Sequence, residues 1–208
     1  MEEEQLYWKL AQGRTPELQK KLLRAKVAVA GLGGLGSNIA VMLARSGVGR
    51  LLLIDFDRVD YSNLNRQHYF LKHVGQEKTE ALAGQIREIN PYIQIKTVTA
   101  QITDGNVSEL LEGYPVVCEA FDNPQSKAVL VNGVLEHLPG TVVVAASGMA
   151  GTESLNRMRT ERRFARLYVC GDMESDMAEA CMYAPRVSAC AAHQANMVLR
   201  LILGEAEA

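Results

Sequence analysis

The feature that most constrains the fold of this chain is a glycine-rich turn between a short aliphatic run and an apolar segment. The turn, residues 31–36, reads GLGGLG and matches the pattern GxGxxG. Before it, Lys26–Ala30 alternates around valine, which predicts a buried strand. After it, apolar residues from 35 to about 46 recur at helical spacing. A strand–turn–helix unit of this kind is typical of parallel α/β sheets and predicts that the turn holds a nucleotide phosphate.

Each glycine has a separate role in such a turn. Gly31 permits the tight turn, Gly33 lets backbone N–H groups approach a phosphate, and Gly36 lets the helix pack closely on the sheet. An acid, Asp55, ends the second predicted strand, where it is placed to accept hydrogen bonds from ribose hydroxyls. NAD suits these features as well as ATP does, and a tight turn without a ligand is the alternative to both.

Strands and helices alternate along the rest of the chain. This predicts an α/β fold, Rossmann-like and doubly wound, with a mainly parallel sheet and helices on both faces. We expect one ATP-binding domain, residues 26–204, after an N-terminal helical segment, residues 1–25, and a frayed tail at 204–208. Further strands are predicted at 50–55, 93–98, 115–121 and 141–146, with weaker strand signals over 148–171. Helices are predicted at 17–24, 78–89, 105–111, 125–137 and 188–203.

Composition and charge argue against several classes of function. The formal net charge of −2 provides no basic field of the kind that favours nucleic acid. No apolar run approaches the roughly 20 residues that a membrane span needs. The acidic start, MEEEQ, is not typical of a secretory or organellar signal, so we expect a cytoplasmic protein. The four cysteines include no CxxC pair, which predicts free thiols and no zinc site.

Polar side chains beyond the glycine turn separate hydride transfer from phosphate chemistry. Arg66 and Lys78 follow the second predicted strand, and Asp122 follows the fourth, where a crevice at the switch point of the sheet would open. A dehydrogenase needs little cationic charge beyond its grip on the diphosphate. An enzyme that cleaves or transfers a nucleotide must neutralise a triphosphate, which takes Arg, Lys and Mg²⁺. The three residues therefore favour nucleotidyl transfer over hydride transfer.

In their order and spacing these motifs resemble the ThiF/MoeB/HesA family, relatives of the ubiquitin-activating enzymes. The matching elements are GLGGLGSN (31–38), DFDRVDYSNLNRQ (55–67), VGQEKTEAL (74–82), INPYI (89–93) and FDN (121–123). Three later segments, 145–151, 184–187 and 191–204, are similar to those of the short ThiF-type members. Together they extend the likeness almost to the end of the chain.

The resemblance implies ATP-dependent acyl-adenylation with Mg²⁺. In the family, the C-terminal glycine carboxylate of a ubiquitin-like sulfur carrier attacks the α-phosphate of ATP, and sulfur later displaces AMP. The short-form segments imply the thiamine-pathway carrier ThiS as partner, and the family implies a homodimer. A molybdopterin-type or other sulfur carrier is an alternative with the same chemistry. An NAD(P) oxidoreductase and a non-catalytic nucleotide-binding scaffold are alternatives from other classes.

The resemblance also implies a role for each site residue. Arg66 and Lys78 would act on the ATP phosphates, Asp122 would bind Mg²⁺, and Asp55 would hold the ribose. Taken singly, Arg66 and Lys78 would be surface cations, and residues 122–124 would be a helix N-cap with proline. The implied ATP-binding set is Gly31, Gly33, Gly34, Gly36, Asp55, Asp57, Ser62, Asn63, Asn65, Arg66, Gln67, Lys78, Asp122 and Asn123.

Other residues are weaker candidates. Cys181 lies nearest to the cysteine that some family members link to the carrier, with a plain thiol as the alternative. Cys170 is a weaker candidate still, and the other two cysteines are expected in the core. Arg14 is a candidate for the arginine that reaches the partner's ATP site in related dimers, with a surface position as the alternative. His193, on an apolar helix, is expected to be a satisfied buried histidine.

Overall fold

The computed structural model describes residues 9, 13–176 and 179–208. Most of the predicted N-terminal segment before residue 13 therefore lies outside the described residues. The strands are β1 Lys26–Ala30, β2 Arg50–Ile54, β3 Gln94–Val98, β4 Val116–Glu119, β5 Val142–Ala146, β6 Arg159–Phe164 and β7 Leu167–Gly171. The helices are α1 Pro16–Arg24, α2 Gly34–Arg45, α3 Lys78–Ile89, α4 Val107–Leu111, α5 Pro124–His137 and α6 Ala184–Leu203.

The strands of the described chain form one sheet in the order β3-β2-β1-β4-β5-β7-β6. Its neighbouring strands run parallel except for β6 and β7, which pair antiparallel. The strand order reverses between β1 and β4, so the first crossovers run outward in one direction and the later ones in the other. This is the predicted Rossmann-like, doubly wound fold, and ligands bind such sheets at the carboxyl ends of the strands where the order reverses.

Both faces of the sheet are covered, as the aliphatic strands predict. Successive residues of β1 point to opposite faces, since Val27 and Val29 join one apolar cluster and Ala28 and Ala30 the other. The first cluster contains residues of α1, α2, α3 and α6, and the second contains residues of α4 and α5. The central strands are therefore closed to water on both sides, and only their ends remain open for a ligand.

The sequence predictions differ from the structure mainly near the C-terminus. The weak strand signals over 148–171 resolve into the β6–β7 hairpin at one edge of the sheet. Helix α6 begins at Ala184 rather than 188, with a proline in its first turn. The predicted frayed tail is held instead, because the Tyr168 hydroxyl donates to the Ala206 carbonyl at 2.7 Å and Arg200 pairs with Glu205 at 2.8 Å. Within the described part of the chain, no helix is long and apolar enough to cross a membrane.

Candidate functional site

A cavity of about 440 Å³ opens at the carboxyl ends of the central strands. Most of its lining comes from the end of β5 and from the segments that follow β1, β2, β4, β5 and β7, and Arg66, Gln67, Lys78 and Met182 supply the rest. The cavity therefore spans the point where the strand order reverses, which is the position that the fold favours for a ligand. Its volume lies within the usual range of small-molecule sites.

Two glycines of the turn are required by backbone geometry. Gly31 has a φ of +86°, and a Cβ atom there would lie 2.8 Å from the Ala120 carbonyl oxygen. A Cβ atom on Gly36 would lie 1.8 Å from the carbonyl oxygen of Gly31, which no side chain tolerates. Gly36 thus allows α2 to begin directly against the end of β1, as the sequence predicts. The first turn of α2 then presents its N-terminus to the cavity, where an anion is favoured.

Asp55 lies at the end of β2 and is buried beside the glycine turn. One carboxylate oxygen accepts the Leu32 N–H at 2.6 Å, and the other accepts the Asp57 N–H at 2.8 Å. Burial raises the pKa of Asp55, and the charge of Lys78 and these two N–H groups offset part of that rise. Each oxygen keeps a lone pair that is able to accept a ribose hydroxyl. Asp55 therefore anchors the turn, and its contact with a ribose stays a prediction.

Lys78 is the first residue of α3, and its side chain is almost entirely buried. Its ammonium group donates to Asp57 Oδ2 at 2.7 Å, and its backbone N–H donates to the Asp57 carbonyl at 3.0 Å. Both Lys78 and Asp57 line the cavity. A phosphate bound there would compete with Asp57 for the ammonium group.

Arg66 lines the cavity from the polar loop between β2 and α3. Its guanidinium donates to two neutral acceptors, the Ser62 carbonyl at 3.2 Å and Asn65 Oδ1 at 2.9 Å. The Asn38 side chain on α2 donates to the carbonyls of Arg66 and Gly34, at 3.2 and 2.7 Å. Asn38 thus connects the Arg66 loop to the first turn of α2. It belongs to the GLGGLGSN motif, but no separate role was predicted for it.

Ser62, Asn63, Asn65 and Gly36, all members of the implied ATP-binding set, lie outside the cavity lining. Asn63 Oδ1 accepts the Asp60 N–H at 3.0 Å, and the Ser62 hydroxyl donates to Asp60 at 2.7 Å. These bonds close a short 3-10 turn at Tyr61–Asn63. In the described geometry, the three polar residues support the loop that carries Arg66.

Gln67 has a buried polar atom without a partner among the described residues. Its Oε1 makes no hydrogen bond, although the residue is only 8% exposed and lines the cavity. Its amide nitrogen lies 3.7 Å from where a Cβ on Gly33 would be. Leaving a buried acceptor unpaired costs about 1–3 kcal/mol, and no donor among the described residues offsets that cost.

Asp122 and Asn123 follow β4, as predicted, but they have different roles in the structure. Asn123 Oδ1 accepts the Ser126 N–H at 3.0 Å and caps α5, and Pro124 is the first residue of that helix. Both Asp122 and Asn123 line the cavity and are exposed. Within the described residues, the Asp122 carboxylate makes no hydrogen bond or ion pair. The capping function therefore falls on Asn123 and leaves the Asp122 carboxylate available to a ligand.

Sequence reasoning missed a charged pair beneath this wall of the cavity. Glu119, the last residue of β4, is fully buried and pairs with the ammonium group of Lys127 on α5. Burial raises the pKa of Glu119, and the charge of Lys127 counteracts the rise. A spacing of eight residues across a strand end gives no recognisable motif, so the only sequence signal was an acid in an otherwise aliphatic strand.

A second missed pair holds the far wall. Asp172, directly after β7, forms a buried salt bridge with Arg186 on α6. Burial would raise the pKa of Asp172, but N–H groups of Ser175 and Glu174 and the Arg186 side chain lower it to about 2. Arg186 also donates to the Glu153 carbonyl at 2.5 Å. The pair therefore joins two loops that supply methionines to the cavity wall.

The weaker candidates lie outside the lining. Cys181 is exposed, with its carbonyl bound to the Gly151 N–H at 2.8 Å, while its neighbour Met182 lines the cavity. Cys170 is buried, and burial raises its pKa to about 11, which is unfavourable for a nucleophile. His193 Nδ1 lies 3.1 Å from the Thr160 hydroxyl. The other two cysteines are buried, as expected.

Arg14 lies against its own chain rather than at the cavity. Its guanidinium donates to the Arg45 carbonyl at 3.1 Å and to Gln19 Oε1 at 3.2 Å, beside a separate cavity of about 130 Å³. It thereby satisfies a carbonyl at the C-terminal end of α2. In the described part of the chain, no group of three or more His, Cys, Asp or Glu residues is placed to hold a metal ion.

Comparison with known proteins identifies relatives over nearly the whole chain. The ThiF family model matches residues 4–208. The molybdopterin-synthase adenylyltransferase of Salmonella typhimurium is 34% identical over 191 residues, which cover 89% of this chain and 76% of that protein. The sulfur carrier protein adenylyltransferase of Thermus thermophilus is 38% identical over 109 residues, which cover 52% of this chain and only 40% of that protein.

A solved structure shares the fold. The crystal structure of E. coli tRNA N6-threonylcarbamoyladenosine dehydratase, TcdA, in complex with ATP superimposes with a TM-score of 0.86. It covers 96% of this chain and 94% of that one at 22% sequence identity. At this sequence identity, the likeness shows that the two chains share a fold.

Proposed function

Since the chain belongs to the ThiF family, we propose that it is an ATP-dependent adenylyltransferase that activates the C-terminal carboxylate of a ubiquitin-like sulfur carrier. It is an enzyme of the nucleotidyltransferase class. The names of its Salmonella and Thermus relatives support this chemistry. The ATP complex of the structural neighbour supports the choice of nucleotide.

The observation that carries the proposal is the convergence of Arg66, Lys78 and Asp122 on one cavity at the reversal of strand order. The three residues come from a loop, from the start of α3 and from the segment that follows β4. A site for hydride transfer does not require two cations and an unpaired carboxylate at these positions. A triphosphate with its metal ion needs all three.

Mg²⁺ fits the Asp122 carboxylate. Mg²⁺ is usually bound through one or two carboxylates together with substrate phosphates and water, rather than by a protein cage. Asp122 meets this requirement because its carboxylate is exposed at the cavity and has no partner among the described residues. When bound, the ion would neutralise phosphate charge.

The reaction then needs positioning and charge stabilisation more than proton transfer. A carrier carboxylate oxygen bonds to the α-phosphorus, the bond from that phosphorus to the bridging oxygen breaks, and pyrophosphate leaves with the electron pair. The carboxylate is already ionised at neutral pH, so no general base is needed. Arg66 and Lys78 stabilise charge on the phosphates, and the glycine turn and α2 N-terminus hold the nucleotide.

For the carrier we propose ThiS. The support is the similarity of segments 145–151, 184–187 and 191–204 to short ThiF-type proteins. The Salmonella relative is named for molybdopterin synthase, so a molybdopterin-type carrier with the same chemistry is the competing candidate. Assembly as a homodimer and a cytoplasmic location stay predictions. Sedimentation tests the homodimer, because one chain has a mass of 22.8 kDa and a dimer has twice that mass.

ATP–pyrophosphate exchange tests the proposal. We expect the chain with Mg²⁺ to exchange label between pyrophosphate and ATP when ThiS with an intact C-terminal Gly-Gly is present. The rate should fall to background when the last glycine is removed, because the attacking carboxylate is then misplaced. A molybdopterin-type carrier is compared at equal concentration, and the higher kcat/KM identifies the partner.

Two further measurements test alternatives to the proposal. The first measures NAD binding, and the second supplies tRNA bearing threonylcarbamoyladenosine, the substrate in the name of the structural neighbour. Exchange absent with every Gly-Gly carrier, alongside tight NAD binding or conversion of the tRNA, would show that the proposed function is wrong.

A further inference from the structure

Lys127 is a cation of the cavity to which the family resemblance gives no role. It lies on α5, and its side chain lines the cavity with 32% of its surface exposed. Its ammonium group donates to Glu119 Oε2 and to the Ala146 carbonyl, the latter at 2.9 Å. The ammonium group of Lys127 therefore lies beside the carboxyl ends of β4 and β5, whereas Lys78 lies beyond the end of β2.

Glu119 holds this ammonium group in one place. Glu119 is fully buried, and its other carboxylate oxygen accepts the Phe121 N–H at 2.8 Å. The Gln194 side chain donates to the Glu119 and Val144 carbonyls, at 2.9 Å each, which links the end of β4 to the middle of β5. An ammonium group has three N–H donors. Among the described residues, two of these donors are engaged and the third has no partner.

The charges around Lys127 distinguish the two halves of the cavity. The half formed by the segments after β1 and β2 contains the glycine turn, Arg66 and Lys78, and suits the phosphates. The other described lining residues include three acids, Asp122, Glu174 and Asp176, and Lys127 is their one cation. Among the described lining residues of this half, Lys127 is therefore the cation that an incoming anion meets.

We propose that Lys127 binds the carboxylate of the acyl substrate and directs it to the α-phosphorus, an inference that rests on the proposed function. Two anions must meet in adenylation, and a hydrogen-bond donor on the side of entry orients one of them for that approach. Glu119 already balances the charge of Lys127, so the ammonium group orients the carboxylate by a hydrogen bond without holding it as tightly as an unpaired cation. No proton moves in this contact.

The test separates substrate binding from a structural role. The Lys127→Met variant keeps the length of the side chain and removes the donors, but it leaves Glu119 buried without its partner. The double variant Lys127→Met/Glu119→Gln removes that charge as well and keeps an acceptor for the Phe121 N–H. Lys96→Met, which changes an exposed lysine on β3, is the matched control.

Exchange is measured against carrier concentration at saturating ATP, and against ATP at saturating carrier. In both Lys127 variants we expect kcat/KM for the carrier to fall about 10- to 100-fold, as for loss of a hydrogen bond to a charged group. The KM for ATP should stay within about twofold of wild type, since Lys127 lies apart from the phosphate half. Lys96→Met should match wild type in both series.

The double variant decides between two outcomes. Wild-type kinetics for the carrier in the double variant would overturn the proposal, because Lys127 would then serve only to neutralise Glu119. An equal loss of affinity for ATP would overturn it as well. If the wild-type chain itself shows no exchange with any carrier, the proposed function fails first, and the role of Lys127 fails with it.

Discussion

The cationic residues of the cavity differ in how far neighbouring groups neutralise their charge before a ligand binds. Lys78 is paired with Asp57, and Lys127 with Glu119, at short distances. Within the described part of the chain, Arg66 donates to a backbone carbonyl and to the side chain of Asn65, both uncharged. Arg66 therefore offers the largest unbalanced positive charge among the described cavity residues, and a phosphate would gain most from it.

We expect Arg66→Ala to lower the exchange rate with the carrier by about 100-fold or more, because a preorganised donor to the phosphates is lost. Arg87→Ala is the matched control, since Arg87 is an exposed arginine of α3 outside the cavity lining. Both variants are compared at saturating ATP and carrier. Unchanged turnover in Arg66→Ala would make Arg66 an ordinary loop cation.

Among the elements of the site, the first turn of α2 packs closely against the backbone at the end of β1. Gly36 allows it, since an added Cβ would lie 1.8 Å from the carbonyl oxygen of Gly31. Gly84, in the middle of α3, provides the contrast, since an added Cβ there meets nothing within 4 Å. The two glycines occur in similar helices, but only one of them is required by packing.

We expect Gly36→Ala to lower the free energy of unfolding by about 3 kcal/mol or more, because backbone atoms would have to move apart. Gly84→Ala should raise it by about 1 kcal/mol, since alanine favours a helix over glycine by that amount. Urea denaturation of both variants and wild type measures the difference. Equal effects of the two substitutions would contradict the close packing of α2 on β1.

At the scale of the whole molecule, the Asp172–Arg186 pair connects the sheet, α6 and the loop that contains Glu153. Met173, the residue after Asp172, has a φ of +66°, which is a strained conformation for a residue with a side chain. Met173 lines the cavity. The shape of the cavity wall therefore depends on an ion pair whose two residues lie in separate segments.

The pair makes stability depend on pH in a defined direction. The pKa of folded Asp172 is about 2, below the ordinary value of 3.8. Its contribution is therefore complete above the ordinary pKa and is lost as the pH falls through about 2. We expect Asp172→Asn to cost about 3 kcal/mol at pH 6, because Arg186 remains buried without its partner.

The difference in unfolding free energy between wild type and Asp172→Asn should shrink as the pH falls below 4. Urea denaturation at pH 6, 5, 4 and 3 measures it. Asp104→Asn, an exposed aspartate, is the control for a general effect of charge. A difference that stays constant from pH 6 to pH 3 would rule out the lowered pKa.

Prediction from sequence worked where the determining interactions are local. Helix α3 begins and ends at the predicted residues, 78 and 89, and α1 begins after its Thr15 cap, whose hydroxyl accepts the Leu18 N–H at 3.3 Å. Gly36 has the predicted close packing because its contact with Gly31 arises within one strand–turn–helix unit. Hydrophobic spacing, caps and turn glycines act over a few residues, so one sequence contains the whole signal.

The amino-acid sequence by itself therefore determined the Rossmann-like fold and the position of the glycine turn, and it predicted that Arg66, Lys78 and Asp122 lie near that turn. Only the tertiary structure decided how those charges are engaged. It showed that Asn123 rather than Asp122 caps α5, that Glu119 pairs with Lys127, and that Asp172 pairs with Arg186. Such pairs join groups on different elements, and their energy depends on burial and distance. Neither quantity exists until the chain has folded.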